Sequence, residues 1–209
     1  MFHRGIMRGL RNYQVNVIIK VLIASDFLIW SSASLVAPIF AIFIAARLPS
    51  GGIEAIGIAA TIYCMTKAIV EIPVGTYIDK SKSERDDLYA AILGTVLNAA
   101  TFFLYPIVAS VWQLYLLQIV AGAAGAIAYP GWYSIFTRHI DKSKEAFEWS
   151  LYDVLLGLGM AVTSALGAFM VAKFGFNAVF YIIGSMTLAG AALLFIIRDR
   201  IYQGAAAKK

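Results

Sequence analysis

Charge is scarce in this 209-residue chain: Asp, Glu, Lys and Arg make up 14% of it, against about a quarter of a soluble globular domain. With 61% hydrophobic residues and a mean hydropathy of +0.78, that deficit excludes an ordinary water-soluble fold. Cysteine is almost absent. Cys64 stands alone inside an apolar run, so neither an intramolecular disulfide nor a CxxC metal site is available. Histidine is confined to His3 and His139, both in polar flanking segments. A serine–histidine or zinc mechanism within a bilayer therefore lacks its base or its ligands. There is no phosphate-cradling glycine–lysine loop. The expectation is a non-enzyme with no cofactor and no metal. The net charge of +5 calls for no nucleic-acid partner, because the basic residues sort by topology instead.

What the chain does have is apolar runs of roughly 20 residues or more, the length that spans a bilayer as helix. Six spans are expected, in an all-α polytopic membrane domain over residues 17–198. They cover about 17–46, 54–78, 88–108, 111–136 and 146–172, with a sixth ending near Ile197. The first run exceeds the apolar core of a signal peptide and is expected to be retained, kinked at Pro38. Residues 1–16, with His3, Arg4, Arg8 and Arg11 among apolar neighbours, read as a cytoplasmic amphipathic segment. Residues 199–209 read as a cytoplasmic tail. Turns are expected at Leu48–Gly52 and at Lys173–Asn177. Fourteen of the seventeen Lys and Arg residues fall on the N-terminal side of the membrane, against Arg47 and Lys173 on the other, with Lys67 inside a span. Basic residues accumulate on the cytoplasmic face. Both termini are thus expected there, in a multi-pass protein of the plasma (inner) membrane.

The loop between the second and third spans reads Glu71-Ile-Pro73-Val-Gly75-Thr-Tyr-Ile-Asp79-Lys80, then Ser81-Lys82-Ser83-Glu84. It resembles the pattern G-x-x-x-D-R/K-x-G-R-R/K between helices two and three of the major facilitator superfamily. Gly75, Asp79 and Lys80 match; Lys82, Ser83 and Glu84 depart from its second half. The fourth span, from Gln118 through Gly122 and Gly125 to Pro130, is similar to the family's R-x-x-Q-G-x-G-A-A, with Gln118 in place of the arginine and Ala121 in place of the glutamine. Phe174-Gly-Phe-Asn-Ala-Val-Phe180 is similar to the family's G-W-R-x-x-F, again without its arginine. The resemblance covers all six spans and implies half of a twelve-helix transporter. In that family two parallel halves enclose the substrate cavity about a pseudo-two-fold axis. Two parallel copies of this chain restore such an arrangement. The expected function is secondary transport of a small organic solute by a parallel homodimer with alternating access, protons being the candidate coupling ion. The alternative is a non-transporting assembly or regulatory subunit that needs a heteropartner.

Ionisable groups inside spans cost about 2.5–3.5 kcal/mol on insertion scales and are functional candidates by default. Asp26, Lys67 and Glu71 lie near mid-membrane and are the candidates for proton or ion coupling. Two blander readings stand beside it. An Asp26–Lys67 or Lys67–Glu71 ion pair would only tie helices together, and Lys67 and Glu71 can also snorkel. Gln118, Gly122, Gly125, Tyr129, Trp132 and Tyr133 share one helical face. By the resemblance, helices one and four line the cavity, which sets Asp26, Trp30 and Ser34 opposite that face. Helix packing and an interfacial aromatic belt are the competing explanations. Asp79, beside Gly75 and Lys80, is a gate candidate that pairs with Arg138 or Lys142 across the inner face, a solvated cytoplasmic face being the competing reading. Gly159, Thr163 and Gly167 form a small-residue stripe. Since the resemblance places helices two and five between halves, this stripe is the candidate dimer seam.

Overall fold

The computed structural model describes residues 15–48, 51–81 and 83–201. The amphipathic reading of residues 1–14, the turn residues Pro49 and Ser50, the loop residue Lys82 and the tail beyond Ile201 lie outside the described residues. Among the described residues the structure is helical throughout, without strands. In a bilayer this follows from chemistry, since a helix satisfies its backbone hydrogen bonds within itself.

Helix α1 runs Val17–Ala33, its first turn capped by the Asn16 side chain, which accepts from the Ile18 amide at 3.0 Å. The break that follows is wider than a kink at a single proline. The Ser34 hydroxyl turns back to donate to the Trp30 carbonyl at 2.9 Å, and a short 3-10 turn over Ala37–Ile39 carries Pro38. Helix α2, Phe40–Arg47, completes the crossing. Helix α3 is Gly52–Ser81 and α4 is Glu84–Leu104. A 3-10 turn at Tyr105–Ile107 leads to α5, Val111–His139, which begins with a reciprocal capping box between Ser110 and Gln113. Arg47 ties this side together, donating to the carbonyls of Val108 at 3.0 Å and Pro106 at 2.7 Å.

Helix α6 spans Glu145–Ile196, and as one straight rod its 52 residues would reach about 78 Å, far beyond any bilayer. It is not straight. Gly175 takes φ 77°, ψ 164°, a conformation that L side chains rarely adopt. The contacts on either side run in opposite senses. Gly159 packs on Phe27 and Ser31, and Gly167 on the Leu35 backbone, so this arm advances along α1. Beyond Gly175, the Phe180 ring meets Phe43 at 4.7 Å, Gly190 meets Ser25 and Ile29, and Ile197 joins the cluster of Ile18 and Ile19. The second arm runs back down α1. By length and composition, five helical segments are fit to cross a membrane, Val17–Arg47 and Glu145–Ile201 being the first and last.

Glycine notches set the close approaches. Gly94 admits the backbone of α5 at Ala124 and Ala128, Gly131 admits the Asp87 backbone of α4, and Gly122 sits 2.6 Å (ideal Cβ position) from the Tyr63 carbonyl of α3. Larger side chains there would force the helices apart. Two apolar clusters result. One gathers Ile19, Leu22, Leu88, Ile135, Phe136 and Ile197; the other gathers Phe43, Ile44, Leu114, Val179, Phe180 and Ile183. Helix α3 packs chiefly on α5 and leaves Ile53, Ile69 and Ile72 exposed.

Candidate functional site

A polar crevice runs along α1, α3, α4 and α5 as three adjoining cavities. At one end, a space of about 170 Å³ is walled by Trp30, Tyr63, Asn98, Tyr105 and Gln118. The waist, about 80 Å³, shares Trp30, Tyr63 and Asn98 with it and adds Asp26, Lys67, Thr95, Gly125, Tyr129 and Trp132. Tyr129 continues into an open cleft of about 490 Å³ bounded by Glu71, Gly75, Asp79, Tyr133 and Arg138. Asp26, Lys67, Trp30, Gly125, Tyr129 and Trp132 therefore meet at one place.

Asp26 is 8% exposed, and its Oδ2 accepts a hydrogen bond from the Tyr152 hydroxyl at 2.9 Å. Tyr152 comes from the first arm of α6, and its ring packs against Trp132 at 5.1 Å between centroids. Asp26 and Lys67 line the same cavity without forming an ion pair among the described residues. Lys67 instead lies 3.9 Å from Glu71, one turn along α3, and 5.1 Å over the Tyr129 ring. Of the two tying interactions open at the sequence level, only the one within α3 forms. The helix-to-helix bond of Asp26 goes to a tyrosine 126 positions away, which no local spacing signals.

The stripe on α5 divides. Gln118 is buried and donates to the Tyr105 hydroxyl at 3.0 Å. Gly122 serves the approach of α3 rather than the cavity. Gly125, Tyr129, Trp132 and Tyr133 face the crevice. Ser34 does not: α1 has ended at Ala33, and the buried Ser34 hydroxyl is spent on Trp30.

The gating residues are also rearranged. Gly75 and Asp79 line the open cleft, and both Asp79 and Lys80 are exposed. Arg138 lines that cleft too, but its Nη1 bonds Asp87 Oδ2 at 2.7 Å instead of reaching Asp79. The Ser134 hydroxyl donates to the same oxygen at 2.9 Å. Asp87 looks at the sequence level like one more charge in a solvated loop, yet it is completely buried. Gly131, by admitting its backbone against α5, is what puts it there.

Gly159 and Gly167 occupy a face different from a seam between copies. Both are buried, Gly159 against α1 and Gly167 against the segment just beyond it, where a Cβ would collide with the Leu35 carbonyl. The Thr163 hydroxyl donates to the Gly159 carbonyl at 2.9 Å. Small-residue spacing identifies a close helix contact correctly but does not say whether the partner is the same chain. Among the described residues, no three His, Cys, Asp or Glu side chains gather as a metal site.

No curated protein matches the sequence. The sequence model of the Major Facilitator Superfamily matches residues 22–209, taking in every element that walls the crevice. Helices of membrane-spanning length around a buried polar crevice, matched along nearly the whole chain, make this a multi-pass membrane protein of the transporter type, and the chain belongs to the Major Facilitator Superfamily.

Proposed function

We propose that this chain is one six-helix wall of a secondary transporter for a small organic solute. The reversal at Gly175 divides α6 into two membrane-length arms, which join Val17–Arg47, α3, α4 and α5 to make six crossings. One observation carries the reading. A continuous line of ionisable, amide and aromatic groups lies between two apolar clusters, in helices otherwise fit for lipid. Each such group is costly in hydrocarbon and is retained where it meets water or a substrate. The cleft of about 490 Å³ is open, and a second bundle would supply its opposite wall. A second copy inserted in parallel does so symmetrically, with the path on the two-fold axis and rocking of the copies giving alternating access. The basic loops set both ends of the six-helix domain on the cytoplasmic side. Asp26, whose hydrogen-bond partners are the neutral Tyr152 hydroxyl and the Trp30 side chain, is the group assigned to carry a coupling proton.

Single-molecule subunit counting in lipid, paired with solute uptake under an imposed pH gradient, tests this. Two copies per functional unit and uptake that follows the gradient are expected. Monomers alone, or two copies that join through a dry seam without uptake, would favour an assembly subunit that needs a heteropartner.

A further inference from the structure

The waist is lined by one buried donor without an acceptor and by one loosely paired ammonium. Lys67 brings three N–H donors, and its nearest anionic atom, Glu71 Oε2, stands at 3.9 Å, beyond hydrogen-bond distance. The Tyr129 ring beneath Lys67 offers attraction but no lone pair. Trp132 walls the same cavity, is 5% exposed, and has a buried indole N–H with no acceptor. Leaving a buried donor unpaired costs about 1–3 kcal/mol. The deficit belongs to the Trp132 indole; the Lys67 ammonium, 32% exposed and loosely paired with Glu71, meets it at the same cavity from a second helix. Tyr63 and Asn98, on its other walls, also form no side-chain hydrogen bond among the described residues, so they can serve either end of a polar ligand.

We infer that the waist is a receptor for the carboxylate of a small organic acid, with Lys67 and the Trp132 indole N–H as its donors. The carboxylate supplies the acceptor that the Trp132 indole lacks and a closer partner for Lys67 than Glu71, and its body lies against the Trp30, Tyr63 and Tyr129 rings. Asp26 forms the far wall and is bonded to Tyr152, and among the described residues Lys67 is the only cationic side chain lining the waist. The cavity is far smaller than the roughly 300–1,000 Å³ of drug-sized sites, in keeping with a compact acid. This assignment rests on the transport reading of the crevice and gives that reading a substrate class.

The test places a single cysteine at the waist, Gly125→Cys in a Cys64→Ser background, in lipid nanodiscs. Its reaction with a soluble sulfhydryl reagent is timed with benzoate, benzamide or benzylamine present, three probes of one shape and different charge. Protection by benzoate alone is expected. The benzoate concentration needed should rise about tenfold or more in Lys67→Met and recover in Lys67→Arg. Trp132→Phe should weaken benzoate by about fivefold and leave the other probes unchanged. A reactive cysteine shielded equally by benzamide, better by benzylamine, or by none of the three overturns the carboxylate assignment while leaving a solvent-accessible crevice for transport. A cysteine that never reacts means a dry waist and overturns the transport reading with it.

Discussion

Asp26 and Asp87 are two carboxylates buried in the same bundle, and the protein treats them oppositely. Asp87 is fully enclosed, and its charge is met by the Arg138 guanidinium at 2.7 Å with Ser134 in support. Asp26 is nearly as enclosed, yet its hydrogen-bond partners, Tyr152 and Trp30, are neutral, and the nearby ammonium of Lys67 leans towards Glu71. A buried charge that is matched braces the structure. One left unmatched is expensive, and its retention points to work that needs the group to change charge. Asp87 therefore fixes α4 to α5 at the Arg138 end of the crevice, whereas Asp26 sits where the crevice is narrowest.

The contrast can be broken most forcefully at Arg138. Arg138→Met strands Asp87 without its cation, and thermal unfolding in detergent should show a loss of about 3 kcal/mol. Adding Asp87→Asn should recover most of that loss. If the single variant is as stable as the parent, the brace assignment fails.

Asp26→Asn is the counterpart. It should lower pH-driven uptake by about a hundredfold while shifting stability by no more than about 1 kcal/mol. An Asp26 variant that unfolds as the Arg138 variant does, or that transports normally, would erase the distinction between the two carboxylates.

The smallest effect is expected at Tyr152. Tyr152→Phe keeps the ring packed on Trp132 and removes only the hydroxyl that holds Asp26. Its stability cost should be about 1 kcal/mol, and uptake should slow by about tenfold. Unaltered uptake would assign Tyr152 to packing alone.

Which parts of this were legible beforehand follows the physics of each signal. The apolar runs read directly as membrane-length helices because bilayer thickness is a fixed ruler, although the last two expected spans fall in one helical segment bent at Gly175, giving five rather than six. Gly75, Asp79, Lys80 and Arg138 read as a gate because a motif placed them; Gly75, Asp79 and Arg138 line the open cleft, but Arg138 pairs with Asp87. The face of Gly125, Tyr129, Trp132 and Tyr133 was visible in helical spacing. Ser34 was misplaced because spacing assumes that the helix continues, and α1 stops one residue earlier. The role of Gly159 and Gly167 was misread because a smooth face carries no label for its partner. Tyr63, Asn98 and Tyr152 were missed because single polar residues in apolar runs reveal neither a depth nor a direction. Asp87 was hidden among Glu84, Arg85 and Asp86, where three of four charges are loop-like and one is buried.

The sequence by itself determined that this chain lives in a membrane as helices and to which family it belongs. Those properties are sums over many residues, and hydrophobicity and motif spacing need no knowledge of who touches whom. Tertiary structure alone decided that Asp87 rather than Asp79 takes Arg138, that Tyr152 holds Asp26, and that Lys67 shares one cavity with the unpartnered indole N–H of Trp132. Each of these is a pairing across helices, fixed by where glycine notches let backbones meet, and no linear pattern encodes it.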